Sequence, residues 1–232
     1  MVETDIVVMT CERLALLKRT LAHIWERTRT PYRLHVIDDA STEGNAEYVS
    51  ALLAEGRIAS ALLRPERAGI AANLRTIAGM TTSDPVIFSD DDVLCPRLEP
   101  DWLARGLQAM AAHPEVGLLA LNNPECNIGG KRGPRERGHG GITYCRNVGG
   151  TFAFARRAVL DGCAPGERAV SPVKIMCVRA AAAGWRVAYL ADVYCQHIGM
   201  VSTRNGRDLS AELALVMPLD PLTLEPVDEY KG

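Results

Sequence analysis

The chain has 232 residues, of which 47% are hydrophobic, and its formal net charge is −2. A chain of this length can bury a sizeable core and predicts one large domain. The near-neutral charge creates no global field that attracts nucleic acid, so DNA or RNA is not the default partner.

Seven cysteines are spread along the chain, and they never form a C-x-x-C pair. Their odd number and their spacing predict reduced, mostly buried thiols, not a disulfide framework or a zinc site. No apolar stretch is long enough to span a bilayer, and no basic region with a cleavage site opens the chain. We therefore expect a cytoplasmic protein without a membrane segment.

Strands and helices alternate through the first half of the chain. Apolar runs predict strands over 6–10, 33–37, 59–63, 86–93 and 116–121. Helical periodicity predicts helices over 14–25, 46–53, 70–78 and 101–112. This alternation is typical of right-handed crossovers and a mainly parallel sheet with helices on both faces. Ligands of such sheets bind beyond the carboxyl ends of the strands.

Three consecutive carboxylates, Asp90, Asp91 and Asp92, end the central apolar run. Adjacent carboxylates raise one another's pKa, so they are tolerated there only if they are solvated, paired with cations or bound to a metal. If the strand geometry continues, Asp90 and Asp92 lean to one side and Asp91 leans to the other. Such oxygen ligands suit Mg²⁺ or Mn²⁺ carrying a diphosphate, and a solvated turn is the alternative.

The second half of the chain has a different pattern. Residues 122–150 contain eight glycines and little periodicity, which predicts a long basic loop that is either functional or a surface excursion. A strand over 151–155 and a short helix from 156 follow. Ser171 and Pro172 predict a hydroxyl-capped helix start, and that helix runs to 184. Two short strands, 186–190 and 193–197, close the fold.

Six segments, in order and at sensible spacing, resemble the GT-A glycosyltransferases, in particular family 2. They are 7–13, 36–42, 69–73, 88–92, 149–157, and 179–185 with 195–197. The resemblance covers roughly residues 4–200. It implies an α/β, Rossmann-like GT-A fold with a mainly parallel central sheet, helices on both faces and a smaller acceptor-side subregion.

The same resemblance implies a single catalytic domain over 1–216. Its nucleotide-binding half covers about 1–121 and its acceptor half about 122–216. The tail, 217–232, contains prolines and acidic residues, and we expect it to be extended or disordered.

Individual site residues follow from the resemblance as expectations. Asp90 and Asp92 correspond to the DxD pair, and His197 corresponds to a distal histidine, so these three are the expected ligands of Mn²⁺ or Mg²⁺. Asp38 or Asp39 is expected to accept hydrogen bonds from the base or ribose. Arg64 and Asn73 either face the nucleotide or brace their helix. The expected donor-binding residues are Thr10, Arg13, Asp38, Asp39, Arg64, Asn73, Asp90 and Asp91.

The resemblance implies a metal-dependent glycosyltransferase that uses a nucleotide-diphosphate sugar, with a UDP-sugar favoured. The acceptor stays open between a protein, a glycan, a small molecule and a modified nucleic acid. Several basic side chains are candidates to close over the diphosphate. They are Lys131, Arg132, Arg135 and Arg137, or Arg204 and Arg207. A nucleotidyltransferase is disfavoured because residues 10–13 lack the glycine- and arginine-rich loop that such enzymes carry.

One departure from the family's pattern concerns the general base. Inverting members carry an acidic pair at the start of the helix that ends in R-x-x-x-x-G-W, and Pro172 and Val173 stand there in this chain. Three alternatives remain. Glu167 serves as the base, the enzyme retains configuration, or the protein binds a sugar nucleotide or glycan without transferring it.

Overall fold

The computed structural model describes residues 3–42, 44–123, 134–163 and 171–199. The strands are β1 (Thr4–Thr10), β2 (Tyr32–Asp38), β3 (Ser60–Leu63), β4 (Val86–Asp90), β5 (Val93–Leu94), β6 (Val116–Asn122), β7 (Arg135–Arg137), β8 (Ile142–Cys145), β9 (Ala153–Ala155), β10 (Arg186–Tyr194) and β11 (Gln196–His197). The helices are α1 (Leu14–Arg27), α2 (Asn45–Ala54), α3 (Ile70–Met80), α4 (Trp102–Ala112), α5 (Arg157–Cys163) and α6 (Pro172–Ala182).

Nine of these strands form one sheet in the order β3-β2-β1-β4-β9-β6-β10-β8-β7. The β1–β2, β1–β4, β2–β3 and β6–β10 pairs are parallel. β9 runs antiparallel between β4 and β6, and the β7–β8 hairpin adds antiparallel strands beyond β10. β5 and β11 form a separate two-stranded sheet. The predicted α/β fold with its mainly parallel central sheet is confirmed.

The core lies on both faces of the sheet. β1 shows why, because Ile6 and Val8 pack into one cluster with α1, α2 and α4. Val7 and Met9 pack into the other cluster with α3, α5 and α6. A strand that is buried on both faces reads as a continuous apolar run, as β1 does in the sequence.

The two halves of the chain differ in how well sequence predicted them. Each predicted element up to 121 is present, with bounds that move by a few residues. The predicted loop over 122–150 instead contains β7 and β8, which belong to the main sheet. The two predicted closing strands are one long strand, β10, followed by the short β11. Ser171 precedes α6 as expected, but its side chain makes no capping hydrogen bond.

The carboxylate of Asp5 joins three segments at the amino-terminal edge of the sheet. It accepts hydrogen bonds from the backbone N–H groups of Thr82 and Ser83, 2.6 and 2.9 Å away, just before β4. Arg33 and His35 of β2 contact it at 2.8 and 2.9 Å. Burial disfavours the charged form, but the two backbone hydrogen bonds and His35 outweigh it, so the pKa of Asp5 is lowered.

We expect Asp5→Asn to reduce the free energy of unfolding at neutral pH by about 2 kcal/mol, because buried donors lose a charged acceptor. The pKa of Asp5 is lower in the folded state than its value of about 3.9 in an unfolded chain. Its contribution is therefore complete above that unfolded value and is lost as pH falls through the folded-state pKa. Urea denaturation at a series of pH values measures the effect.

Asp161→Asn is the matched control, since Asp161 is exposed on α5. The stability difference between wild type and Asp5→Asn should shrink at acid pH, while Asp161→Asn should follow wild type throughout. Equal stability of the two variants at neutral pH would contradict the role given to Asp5.

Candidate functional site

Three neighbouring parallel strands end at one edge of the sheet and bring polar side chains together there. Thr10 ends β1, Asp38 ends β2 and Asp90 ends β4. Thr10 is in register with Asp38, and Met9 is in register with Asp90. The candidate site therefore lies at the carboxyl ends of β1, β2 and β4, where ligands of parallel sheets bind.

The acidic triplet does not keep the alternation of a strand. β4 ends at Asp90, and the chain turns at Asp91 and Asp92. As a result Asp91 and Asp92 both form ion pairs with Arg13, each through a different nitrogen of the guanidinium group. The expectation that Asp91 leans away from Asp92 is wrong, because the strand ends at Asp90, two residues earlier than that expectation required.

Asp91 is fixed by hydrogen bonds to both its side chain and its backbone. It is completely buried. Thr10 donates its hydroxyl to Asp91 Oδ2 over 2.6 Å, and Asn45 donates to the same Thr10 hydroxyl over 3.0 Å. Thr20 donates to the backbone carbonyl of Asp91 over 2.7 Å. These contacts make Asp91 a buried anchor of the turn.

His197 reaches the triplet through the small second sheet. β11 pairs with β5, so that His197 is in register with Val93, the residue after Asp92. The backbone N–H of Ile198 donates to the carbonyl of Asp92 over 2.7 Å. His197 Nε2 lies 3.2 Å from Asp92 Oδ2. The structure therefore brings together Asp92 and His197, two of the three expected metal ligands.

Asp38 and Asp39 are buried and bonded within the chain. Asp38 accepts hydrogen bonds from the side chain and the backbone N–H of Ser41. Asp39 accepts from the backbone N–H groups of Ala68 and Gly69, each over 2.8 Å. The two carboxylates thus fix the loops after β2 and before α3, which border the site.

Arg64 and Asn73 also contact each other. Arg64 Nε donates to Asn73 Oδ1 over 2.7 Å, and another of its nitrogens donates to Thr76 over 2.8 Å. These contacts brace α3, and Arg64 Nε also lies 3.8 Å from Asp39 Oδ1. The nucleotide-facing role stays a prediction.

The three carboxylates of the triplet have different pKa values. Burial, and after it the charges of Asp92 and Asp91, raises the pKa of Asp90 to about 7. Burial also raises the pKa of Asp91 to about 6, although Arg13 opposes it. At Asp92 burial is outweighed by His197 and Arg13, which lower the pKa of that carboxyl. Asp92 is therefore the carboxylate that keeps its negative charge most firmly at neutral pH.

One buried atom of this cluster fits a metal ion. Oδ1 of Asp92 is buried and has no hydrogen-bond partner, which is costly for a carboxylate oxygen. An oxygen donor of this kind, with a carboxylate and an imidazole nearby, suits Mn²⁺ or Mg²⁺. Within the described part of the chain, no three His, Cys, Asp or Glu side chains already converge as a cage. The residues fit a divalent cation, and side chains have to move to bind it.

Glycines adjoin two of the carboxylates. A β-carbon on Gly199 would overlap Asp92 Oδ2 and would lie 2.9 Å from Asp92 Cγ and 3.0 Å from Arg13 Nη1. A β-carbon on Gly150 would lie 3.3 Å from Asp90 Oδ2 and 3.5 Å from Val173 Cγ2. Sequence reasoning missed Gly199, whose only signal is its place two residues after His197.

Strained backbone also marks this edge of the sheet. In the described part of the chain, three residues other than glycine have positive φ values, namely 55° at Glu12, 59° at Ala40 and 47° at Phe152. Glu12 accepts hydrogen bonds from the backbone and hydroxyl of Thr42, which ties the loop after β1 to the loop after β2. Such strain persists where the surrounding structure fixes it, and it clusters at functional sites.

The remaining sequence candidates lie elsewhere. Arg135 and Arg137 are exposed on β7, the edge strand, five places from β4 in the sheet order. At about 4.8 Å per strand they are too far away to close over a ligand at Asp92. That expectation is wrong for these two arginines, because the hairpin register pins them to the far edge. Lys131, Arg132, Glu167, Arg204, Arg207 and the tail lie outside the described residues.

The sheet order, with Asp90 at the end of β4 and Asp91 and Asp92 in the turn after it, is that of the GT-A glycosyltransferase fold. Residues 5–160 match the sequence profile described as "Glycosyl transferase family 2". This match covers more than half of the chain, so the chain belongs to glycosyl transferase family 2. The family predicted from the sequence motifs is confirmed. Comparison with curated protein sequences gives no significant match.

Solved structures with the same fold include the mannosyltransferase PcManGT from Pyrobaculum calidifontis in complex with GDP-Man and Mn²⁺. Its TM-score is 0.69 at 21% identity, covering 88% of this chain and 58% of that one. S. aureus TarS 1-349 in complex with UDP-GlcNAc gives 0.62 at 14% identity, covering 85% and 59%. GalNAc-T7 with UDP, GalNAc and Mn²⁺ gives 0.65 at 11% identity, covering 86% and 44%.

These identities show the fold alone. The chain spans less than two thirds of each of these three structures. Among its described residues, the helices are all too short or too polar to cross a bilayer.

We expect Gly199→Ala to displace Asp92 and to reduce the free energy of unfolding by about 1–3 kcal/mol, because the added methyl group overlaps a buried carboxylate. Chemical denaturation measures the change. Gly79→Ala on α3 is the control, since a β-carbon there meets nothing within 4 Å. Alanine favours a helix interior, so this control should be neutral or slightly more stable. A Gly199→Ala protein as stable as wild type would contradict the close approach.

Proposed function

We propose that the protein is a metal-dependent glycosyltransferase that transfers a sugar from a nucleotide-diphosphate sugar to an acceptor hydroxyl. One observation carries the proposal. In a chain of glycosyl transferase family 2, Asp92 has a buried oxygen without a hydrogen-bond partner, next to His197 and close to Asp90. The complexes of PcManGT with GDP-Man and Mn²⁺ and of GalNAc-T7 with UDP, GalNAc and Mn²⁺ support the donor class and the metal.

In this proposal Asp92, Asp90 and His197 hold the divalent cation. When bound, the cation acts as a Lewis acid for the negative charge that develops on the leaving diphosphate. Arg13 adds positive charge at the same place. Thr10 and Asn45 fix Asp91, which keeps the turn and therefore the orientation of Asp92. Positioning of the donor and stabilisation of the leaving group are the main tasks of these residues.

The acceptor side is defined by the start of α6. The first turn of α6 contains no acidic residue, and Val173 lies across Gly150 from Asp90. We propose Glu167 as the group that takes the acceptor proton, since it is the nearest carboxylate in sequence to the position where inverting relatives carry theirs. The acceptor hydroxyl belongs to a protein, a glycan, a small molecule or a modified nucleic acid, and the choice between them stays open.

The missing acid in the first turn of α6 also favours a second candidate function. A protein of this fold without a base would bind a sugar nucleotide, or a glycan, and not transfer the sugar. Donor binding without hydrolysis or transfer to any acceptor would distinguish this candidate from the enzyme.

We expect one nucleotide-diphosphate sugar to bind, and only when Mn²⁺ or Mg²⁺ is present. Among the donors tested, we expect a UDP-sugar to bind most tightly. Calorimetric titration against UDP-, GDP-, ADP-, CMP- and dTDP-linked sugars tests this with and without the cation. Asp92→Ala should abolish the metal-dependent binding, because it removes the charged oxygen donor. Asp161→Asn, an exposed carboxylate change on α5, should bind as wild type does. Donor affinity that changes neither on removal of the cation nor in Asp92→Ala would contradict the metal assignment.

The role of Glu167 has its own test. If Glu167 is the general base, Glu167→Gln should lower kcat by about 10²- to 10⁴-fold while donor affinity stays unchanged. NMR of the product should then show inverted anomeric configuration. A product that keeps the donor's configuration would remove Glu167 from this role and would indicate that the leaving diphosphate takes the proton.

A further inference from the structure

Arg13 bridges two carboxylates of the acidic triplet. One of its terminal nitrogens pairs with Asp91 and the other with Asp92. The same oxygen of Asp92 that contacts Arg13 also lies 3.2 Å from His197 Nε2. Arg13 is therefore a cation already seated on the carboxylate that is expected to bind a metal ion.

The carboxylate of Asp92 is enclosed. Its side chain is 2% exposed, and its unpartnered oxygen Oδ1 is buried. A cation therefore cannot reach that oxygen until a neighbouring group moves.

Two neighbours of Asp92 are fixed by other contacts. Asp91 is held by Thr10 as well as by Arg13. His197 belongs to β11, which is paired with β5, and the adjacent Ile198 is hydrogen-bonded to the carbonyl of Asp92.

Arg13 differs from Asp91 in exposure, because its side chain is 21% exposed against 0%, which gives it a path to solvent. His197 is 18% exposed, but it lies on a paired strand, whereas Arg13 lies in the loop before α1. The Nε atom of Arg13 is buried without a hydrogen-bond partner, which makes its present position less favourable than its two ion pairs suggest. The side chain of Arg13 is long, has a path to solvent and contains an unpartnered donor. It is therefore the part of the cluster that can move away from Asp92.

We propose that Arg13 and a divalent cation compete for Asp92. Binding of the cation displaces the guanidinium group from Asp92, and the displaced group then binds the diphosphate of the donor. Arg13 is thus a donor-binding residue that also keeps the carboxylates neutralised before the cation arrives. This inference rests on the proposed metal-dependent function.

The competition predicts effects of opposite sign from one substitution. Arg13→Gln should raise the affinity for Mn²⁺ alone by about tenfold or more, because a charge-assisted competitor is gone. It should lower the affinity for UDP or GDP in the presence of Mn²⁺ by a similar factor, because a diphosphate contact is gone. A purely structural role would lower both affinities.

Arg67→Gln is the matched control for charge acting at a distance. Arg67 lies near the same edge, where it donates to Cys11 Sγ over 2.6 Å, but it pairs with neither Asp91 nor Asp92. We expect Arg67→Gln to change Mn²⁺ affinity less than twofold. If Arg67→Gln raises that affinity as much as Arg13→Gln does, direct competition is wrong.

Two further measurements do not depend on the folding of Arg13→Gln. Arg13→Lys keeps the charge but makes a single contact, so it should shift both affinities in the same directions by smaller factors. In wild type, ¹⁵N NMR of arginine side chains should show protected Arg13 Nη–H signals that lose protection as Mg²⁺ saturates the protein. Protection that persists at saturating Mg²⁺ would overturn the proposal.

The outcomes also separate this inference from the proposed function. Mn²⁺ binding that Asp92→Ala abolishes and Arg13→Gln leaves unchanged would overturn the competition but keep the metal site. Absence of Mn²⁺ binding to wild type and to every Arg13 variant would overturn both.

Discussion

The structure around the site depends on the neutralisation of three neighbouring carboxylates in a mostly buried place. Like charges in a low-dielectric environment repel strongly, so each carboxylate needs its own compensation. Thr10 and Arg13 supply it to Asp91, and Arg13 and His197 supply it to Asp92. For Asp90, the raised pKa of about 7 shifts the carboxyl towards its neutral form. The partners of Asp91 and Asp92 come from β1, the residue before α1, and β11, so the requirement ties both ends of the described chain to the central strand.

Much of the fold was predictable because its signals are local. Strands such as β1 are buried on both faces and appear as continuous apolar runs, and the helices show a clear apolar face. The hairpin of β7 and β8 was missed because strands of three and four residues carry too little periodicity. Their position is set by the pairing of β8 with β10, more than forty residues later in the chain.

The site was predictable in its composition but not in its contacts. Carboxylates at strand ends are visible in a sequence, and they do meet at one edge of the sheet. The sequence could not show that the strand stops at Asp90 and that Arg13 therefore faces both Asp91 and Asp92. It also could not show that the carboxylates of Asp38 and Asp39 accept hydrogen bonds from Ser41, Ala68 and Gly69. Such partners depend on tertiary packing.

The pairing of β11 with β5 has a consequence for biosynthesis. His197 follows Asp92 by more than a hundred residues, so the two meet only after most of the chain has left the ribosome. Contacts between distant residues form late in folding because closing a long loop costs entropy. Arg13 and the three carboxylates are therefore synthesised long before His197, and the site gains its histidine last. Completion of the site thus reports that synthesis has passed residue 197.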